Sequence, residues 1–395
     1  AWLDSIPLLL ITGQVQNKDR VGNRGVRQMG FQEINTVEIY KGITKYAVTV
    51  DDPKMIKYHL NRAIFEATNG RPGPVVLDIP LDIQASEIEP EILRDFYPQT
   101  PKYDLSKVPN ILECLNKAKR PIILAGNGVR LADALPEFHQ FIEITGIPVL
   151  TTWKSLDFVD ENHPQYVGRP GGVGQRGANF NQQNSDFILV IGARLDHGQL
   201  AYQPQYFARE ATKCIVDVDR NEIDKLGISV EFPIESDAKE FLKELNKFAR
   251  PLDISKWVSH CKKTYSKYPV ILDEYLTPSD SVINNYAFIH YLSKHLPENS
   301  LIIPGSSGAC SEVTMQAFKC KPGTRIYNSE GLGSMGFGIP AAVGGCIASQ
   351  NKETICIDGD GGFFMNIQEL ELVDRYQLPI KFFVLNNDGY GSIKT

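Results

Sequence analysis

Two short stretches late in this 395-residue chain bring together residue types able to hold a cation and a phosphate. The first, Gly359-Asp360-Gly361-Gly362, follows the apolar run Thr354-Ile355-Cys356-Ile357 and Asp358. The second, Asn386-Asn387-Asp388-Gly389, ends the apolar run Ile380 to Leu385, and 24 residues (362 to 385) separate Gly359-Asp360-Gly361 from Asn386-Asn387. A carboxylate, an amide oxygen and a backbone carbonyl are hard oxygen donors, suited to a Mg²⁺ that keeps phosphate oxygens in its shell. Glycines let backbone N–H groups approach a phosphate where a helix begins. These types together select a Mg-diphosphate. Each stretch alone is ordinary turn chemistry; the pair at this spacing is far more specific.

The elements between them set the geometry. Ile367, Leu370 and Val373 recur at helical spacing within Asn366 to Tyr376. A strand, helix, strand unit crosses over right-handed between parallel strands. Asp360 and Asn387 are thus expected together at the carboxyl ends of two strands, where open α/β sheets bind ligands. The same rhythm recurs along the chain. Strands are expected at Pro7 to Thr12, Pro74 to Ile79, Pro121 to Ala125, Phe187 to Ile191, Cys214 to Val218, Ser300 to Ile303, Thr354 to Ile357 and Ile380 to Leu385. Runs this apolar suit parallel strands covered on both faces. Helices are expected at Met55 to Thr68, Asp237 to Phe248 and Asn366 to Tyr376, giving an α/β fold with parallel sheets. Gln84 to Pro109 and Arg250 to Asp280, rich in proline and polar residues, read as interdomain connections.

Composition narrows the class. A formal net charge of -6 disfavours a nucleic-acid partner. The longest apolar stretch, Ile6 to Thr12, is too short to span a bilayer, so a soluble cytoplasmic protein is expected. The seven cysteines show no CxxC and no close histidine partner, and read as free thiols.

The joint motif resembles the cofactor signature of the thiamine-diphosphate (ThDP) enzymes. Glu330-Gly331-Leu332-Gly333-Ser334-Met335-Gly336-Phe337-Gly338 resembles the acetolactate synthase family's segment beside the cofactor rings. There the resemblance implies that Met335 wedges the cofactor into a bent V and that Gly333 offers its carbonyl to the exocyclic amino group. By its residue type alone, Met335 would be a core methionine. Gly305-Ser306-Ser307-Gly308 matches the place where the family grips the terminal phosphate, with a plain strand-to-helix turn as the other reading. The same resemblance assigns Mg²⁺ to Asp360, Asn387 and the Gly389 carbonyl. It assigns the diphosphate to Gly359, Asp360, Gly361, Gly362 and the Ser392 N–H.

The resemblance also orders the domains. Residues 1–85 resemble the second half of the family's pyrimidine-binding domain, through Ile11 to Gln14, Met29 to Glu33, Ile43 to Tyr46 and Arg71 to Pro80. This implies Phe31 and Gln32 near the reacting carbon, although Gln32 reads equally well as a loop residue. Residues 105–250 resemble the central domain, and 281–395 the diphosphate-binding domain. The central domain of the family implies FAD. Against it, His197-Gly198-Gln199 stands where flavin-binding members usually carry a second acid and an arginine, so a scaffolding role is equally open. The glutamate that activates the cofactor lies upstream of Ala1 in the family, and Glu33 and Glu38 follow the wrong motif. Without an initial Met, and ending after a Gly-rich turn, the chain reads as cut from a longer protein.

The implied function is ThDP- and Mg²⁺-dependent decarboxylation of a 2-keto acid, pyruvate foremost, with carboligation. A homo-oligomer of at least two copies, with the cofactor at the subunit interface, is implied with it. The alternatives are a different 2-keto acid, in polysaccharide sugar synthesis, and a non-catalytic interaction module. The intact Asp360 and Asn387 argue against the last.

Overall fold

A computed structural model describes residues 1–278 and 282–394, without the side chain of Ser392. It contains strands β1 (Leu8–Gln14), β2 (Tyr46–Thr49), β3 (Pro74–Pro80), β4 (Pro121–Ala125), β5 (Val149–Thr151), β6 (Phe187–Ile191), β7 (Thr212–Asp217), β8 (Phe232–Glu235), β9 (Leu301–Pro304), β10 (Arg325–Ile326), β11 (Thr354–Gly359) and β12 (Ile380–Leu385). They form three parallel sheets, ordered β1-β3-β2, β5-β4-β6-β7-β8 and β10-β9-β11-β12. The fold is α/β, with helices flanking each sheet. No helix among the described residues is long and apolar enough to cross a membrane.

The chain divides into two compact units, the first ending at Lys102 and the second beginning at Tyr103. The first holds the three-stranded sheet. Val75 and Leu77 of β3 pack on Ala63 and Ala67 of the helix Ile56–Thr68. That helix follows a turn capped by the Asp52 carboxylate, with Pro53 in the first position that needs no donor. The second unit holds the other two sheets.

Strands β4 and β6 are buried along their whole length, which is why their sequences are unbroken apolar runs. The helix Ala238–Asn246 starts at Asp237, whose carboxylate accepts from the N–H groups of Lys239 and Glu240. It buries Phe241, Leu242 and Leu245 against the same core, each contributing about 1.5–3 kcal/mol of burial. The expected connection from Arg250 to Asp280 is corrected in part. Residues 255–267 form a helix that buries Trp257 and Cys261, four residues apart, in the central core. The Trp257 indole N–H donates to the Pro121 carbonyl at 2.8 Å. Residues 279 and 280 at the end of that stretch, and residue 281 at the start of the expected diphosphate-binding domain, lie outside the described residues.

Within the second unit the two sheets are joined by buried polar groups. Asp157, its side chain 1% exposed, pairs with Arg130 at 2.9 Å and with Arg325 of β10 at 3.0 Å. The wholly buried Arg169 donates to the carbonyls of Gln316 and Phe318, at the end of the helix Val313–Ala317. A cation at a helix C-terminus meets both its free carbonyls and its dipole. The seven cysteines are free, and all but Cys114 are buried.

Candidate active site

Strand β11 lies parallel to β12 with Gly359 beside Leu385, so the chain leaves both strands at the same end of the sheet. There the Gly389 N–H donates to Asp360 Oδ2 at 3.0 Å. The turn holding Gly389 is braced from within: the Asp388 N–H donates to Asn386 Oδ1 at 3.0 Å, and Asn386 Nδ2 to Asp388 Oδ1 at 3.1 Å. Gly389 has φ of 145°, a conformation a side chain would strain. Asn387 lies over the last helical turn, since a Cβ on Gly391 would stand 2.7 Å from its amide nitrogen. Ser392 belongs to that turn, Gly391–Lys394.

Two more segments meet these. After β9, the Gly305 N–H donates to the Ile357 carbonyl at 2.6 Å. The carbonyl of Ser307 accepts from the N–H groups of Cys310 and Ser311, at 3.0 and 2.7 Å, and opens a wide helical turn over Gly308–Glu312. A Cβ on Gly333 would lie 3.9 Å from the Ser306 carbonyl oxygen, so this loop and the Gly333 segment are neighbours. A Cβ on Gly361 would stand 3.1 Å from Met335 Cε and 2.5 Å from Tyr390 Cε1. Asn366 Nδ2 donates to the Gly336 carbonyl at 2.7 Å, fixing the bend after Met335. Residues 305–307, 333–338, 359–362 and 386–391 thus converge on one end of the sheet.

Beneath the convergence lies Asp358, 3% exposed. Its Oδ1 accepts from the Gly359 N–H at 2.9 Å. The Gly338 N–H faces the carboxyl without completing a hydrogen bond, and Oδ2 has no partner among the described residues. Burial pushes this carboxyl up to about 6, against the pull of those backbone N–H groups. Burial likewise pushes the nearby Cys310 thiol up to about 12, leaving it an inert hydrophobe.

The donor set suits the expected group. Among the described residues no cluster of three His, Cys, Asp or Glu could hold a metal. One carboxylate with an amide and a carbonyl oxygen fits instead a Mg²⁺ that takes its remaining ligands from a diphosphate and water. The glycines at 305, 338, 359, 361 and 362 keep the floor of the cradle free of side chains.

Phe31 and Gln32 lie in the first unit, on the loop between Asp19 and Thr36. Phe31 is 86% exposed, and Gln32 has φ of 67°. Glu33 organises that loop, accepting from the N–H groups of Met29, at 2.8 Å, and Val21. These two bonds hold its carboxyl below the usual glutamate range. In the central sheet, Gly126 and Gly128 pack against a neighbouring loop. A Cβ would stand 2.2 Å from Ala193 Cα at the first and 2.6 Å from Gly192 Cα at the second. Close packing of loops accounts for these glycines. Sequence reasoning assigned no role to Asp358, Asn366 or Tyr390. Asp358 alone carried a signal, as the one charged residue of an otherwise apolar strand.

The described geometry is that of a thiamine pyrophosphate (thiamine diphosphate) enzyme. Residues 108–245 match the family described as thiamine pyrophosphate enzyme, central domain, and 306–395 the C-terminal TPP binding domain of the same enzymes. Over its whole length the chain is 31% identical to the acetolactate synthase large subunit of Lactococcus lactis, covering 67% of it. It is 32% identical to the acetolactate synthase isozyme 2 large subunit of Escherichia coli, covering 69%, and 34% identical to the Corynebacterium glutamicum large subunit, covering 62%. The chain belongs to the thiamine pyrophosphate enzymes, and its relatives there are acetolactate synthase large subunits. It spans about two thirds of the length of those relatives.

Proposed function

We propose that this chain carries the diphosphate- and metal-binding part of an acetolactate synthase-like enzyme, which decarboxylates pyruvate and joins the remaining two-carbon unit to a second 2-keto acid. The observation that carries the reading is the 3.0 Å bond from the Gly389 N–H to Asp360 Oδ2, which brings the two halves of the motif to one point. Asp360, Asn387 and the Gly389 carbonyl hold Mg²⁺. Gly305, Ser306, Ser307, Gly359, Gly361, Gly362 and the Ser392 N–H surround the diphosphate. Met335 supports the bend between the cofactor's rings, and the Gly333 carbonyl accepts from its amino group. Phe31 and Gln32 serve the substrate side. When bound, ThDP would supply the electron sink that decarboxylation of a 2-keto acid requires.

The three sheets support a division into a pyrimidine-binding part at 1–85, a central domain at 105–250 and a diphosphate domain at 281–395. The functional unit is a homo-oligomer. Leu332 and Phe364, 76% and 69% exposed beside the cradle, favour a partner that covers them. The test is to incubate full-length protein with pyruvate, ThDP and Mg²⁺ and assay CO₂ and acetolactate. Both products are expected. Cofactor binding without turnover of pyruvate would overturn the substrate and move the reading to another 2-keto acid.

A further inference from the structure

We propose that Asp358 is a positioning residue of the cradle, its carboxyl group the spacer that sets the distance between the backbone segments that grip the diphosphate and the metal. The inference rests on the ThDP reading above. Three segments each present a glycine to this side chain. A Cβ on Gly305 would stand 2.1 Å from Asp358 Oδ1, one on Gly338 2.3 Å from Oδ2, and one on Gly362 2.6 Å from Oδ1. Real side chains do not approach so closely, so each backbone rests directly on the carboxyl group. Gly305 opens the phosphate loop, Gly338 begins the helix Gly338–Ala348 that follows the Met335 segment, and Gly362 follows Asp360. The fourth contact is the Gly359 N–H on Oδ1, which turns the peptide leading into Asp360.

One small planar group therefore touches three of the four segments that converge at the site. A carboxyl fits this place by shape: two oxygens and a trigonal carbon fill the gap between three Cα atoms, and its ionisation is not required. Removing it leaves a void into which the phosphate loop and the Asp360 turn can sag.

The test is calorimetric titration of ThDP with Mg²⁺ into full-length protein. Failure of the wild type to bind overturns the ThDP reading itself. With the wild type binding, Asp358→Ala is expected to weaken affinity about 10- to 100-fold, the range for groups that orient metal ligands. Its kcat at saturating cofactor should change much less. Asp358→Asn, of the same shape, should restore affinity to within about threefold of wild type. Wild-type affinity in Asp358→Ala, or equal losses in the Ala and Asn variants, would overturn the spacer role while leaving the ThDP reading intact. A second pair guards against simple misfolding. Gly338→Ala collides with the carboxyl and should lose binding, and adding Asp358→Gly should recover about tenfold by vacating the space. A double variant no better than Gly338→Ala would also overturn the role.

Discussion

Asp78 and Asp358 occupy the same place in two different sheets. Each is the fifth residue of a strand with a hydrogen-bonded neighbour on both sides, and each is nearly inaccessible, at 1% and 3%. Their surroundings are opposite. Asp78 accepts from the Thr12 hydroxyl at 2.7 Å, from the Thr49 hydroxyl at 3.2 Å and from Gln14 Nε2 at 3.2 Å, side chains of both flanking strands. Asp358 meets glycine backbone and one adjacent N–H. The first carboxylate ties strand ends together. The second is enclosed by the segments that converge at the end of the sheet, and it bears the desolvation cost itself. The acid with side-chain donors joins strands; the one met by glycines lets three backbone segments close on it.

The largest effect should come at the front of that wall. Asp360→Ala is expected to abolish Mg²⁺-dependent ThDP binding in titration while the chain stays folded; retained affinity would break the metal assignment. Next, Asp78→Asn should lower stability by about 2 kcal/mol in chemical denaturation, because an amide nitrogen cannot accept from the hydroxyls it would face. Asp358→Asn should cost no stability at pH 8, and equal losses at both positions would erase the contrast. The pH dependence sharpens it. Asp358 has its folded value raised from 3.8 to about 6, so the folded state binds the proton more tightly than the unfolded chain. Its contribution in the cofactor-free protein is therefore full below about pH 4 and is lost as pH rises through about 6. Unfolding midpoints across that window should lose this component in Asp358→Asn. The smallest effect belongs to Asn366→Ala, which removes the bond to the Gly336 carbonyl and should cost about 1 kcal/mol.

What the sequence revealed follows from how long each strand is. The expected strands at Pro121, Phe187 and Ile380 match β4, β6 and β12 end for end, and the others differ by one to three residues. Strands β2, β5, β8 and β10 gave no signal. All four lie at sheet edges and are two to four residues long. Runs this short carry too few residues for an apolar pattern to stand out, whereas the longer edge strands β1 and β12 were legible. The helix Ser255–Lys267 was hidden for a related reason: with two buried side chains, its polar remainder resembles a linker. At the site, Gly359 to Gly362 read as a turn, yet residues 360–365 form a helix, and the expected helix at 366–376 is a 3₁₀ turn followed by a short α-helix. The motif residues were legible because the proposed binding of metal and phosphate restricts their types. The packing on Asp358 was not, because a glycine in the sequence does not name the atom that excludes its side chain.

The loop that follows Tyr166 carries one more consequence. Arg169 reaches two carbonyls at the end of the helix Val313–Ala317, and Gln175 Nε2 reaches one of them at 2.8 Å. Gln316 answers with its own amide nitrogen, which donates to the Val173 carbonyl at 2.5 Å. Together with Asp157 and its two arginines, this makes a clasp that does not depend on the covalent connection between the two sheets. A protease that nicked the chain between residues 268 and 278 should release no fragment: the two pieces would copurify, and separate only under denaturing conditions.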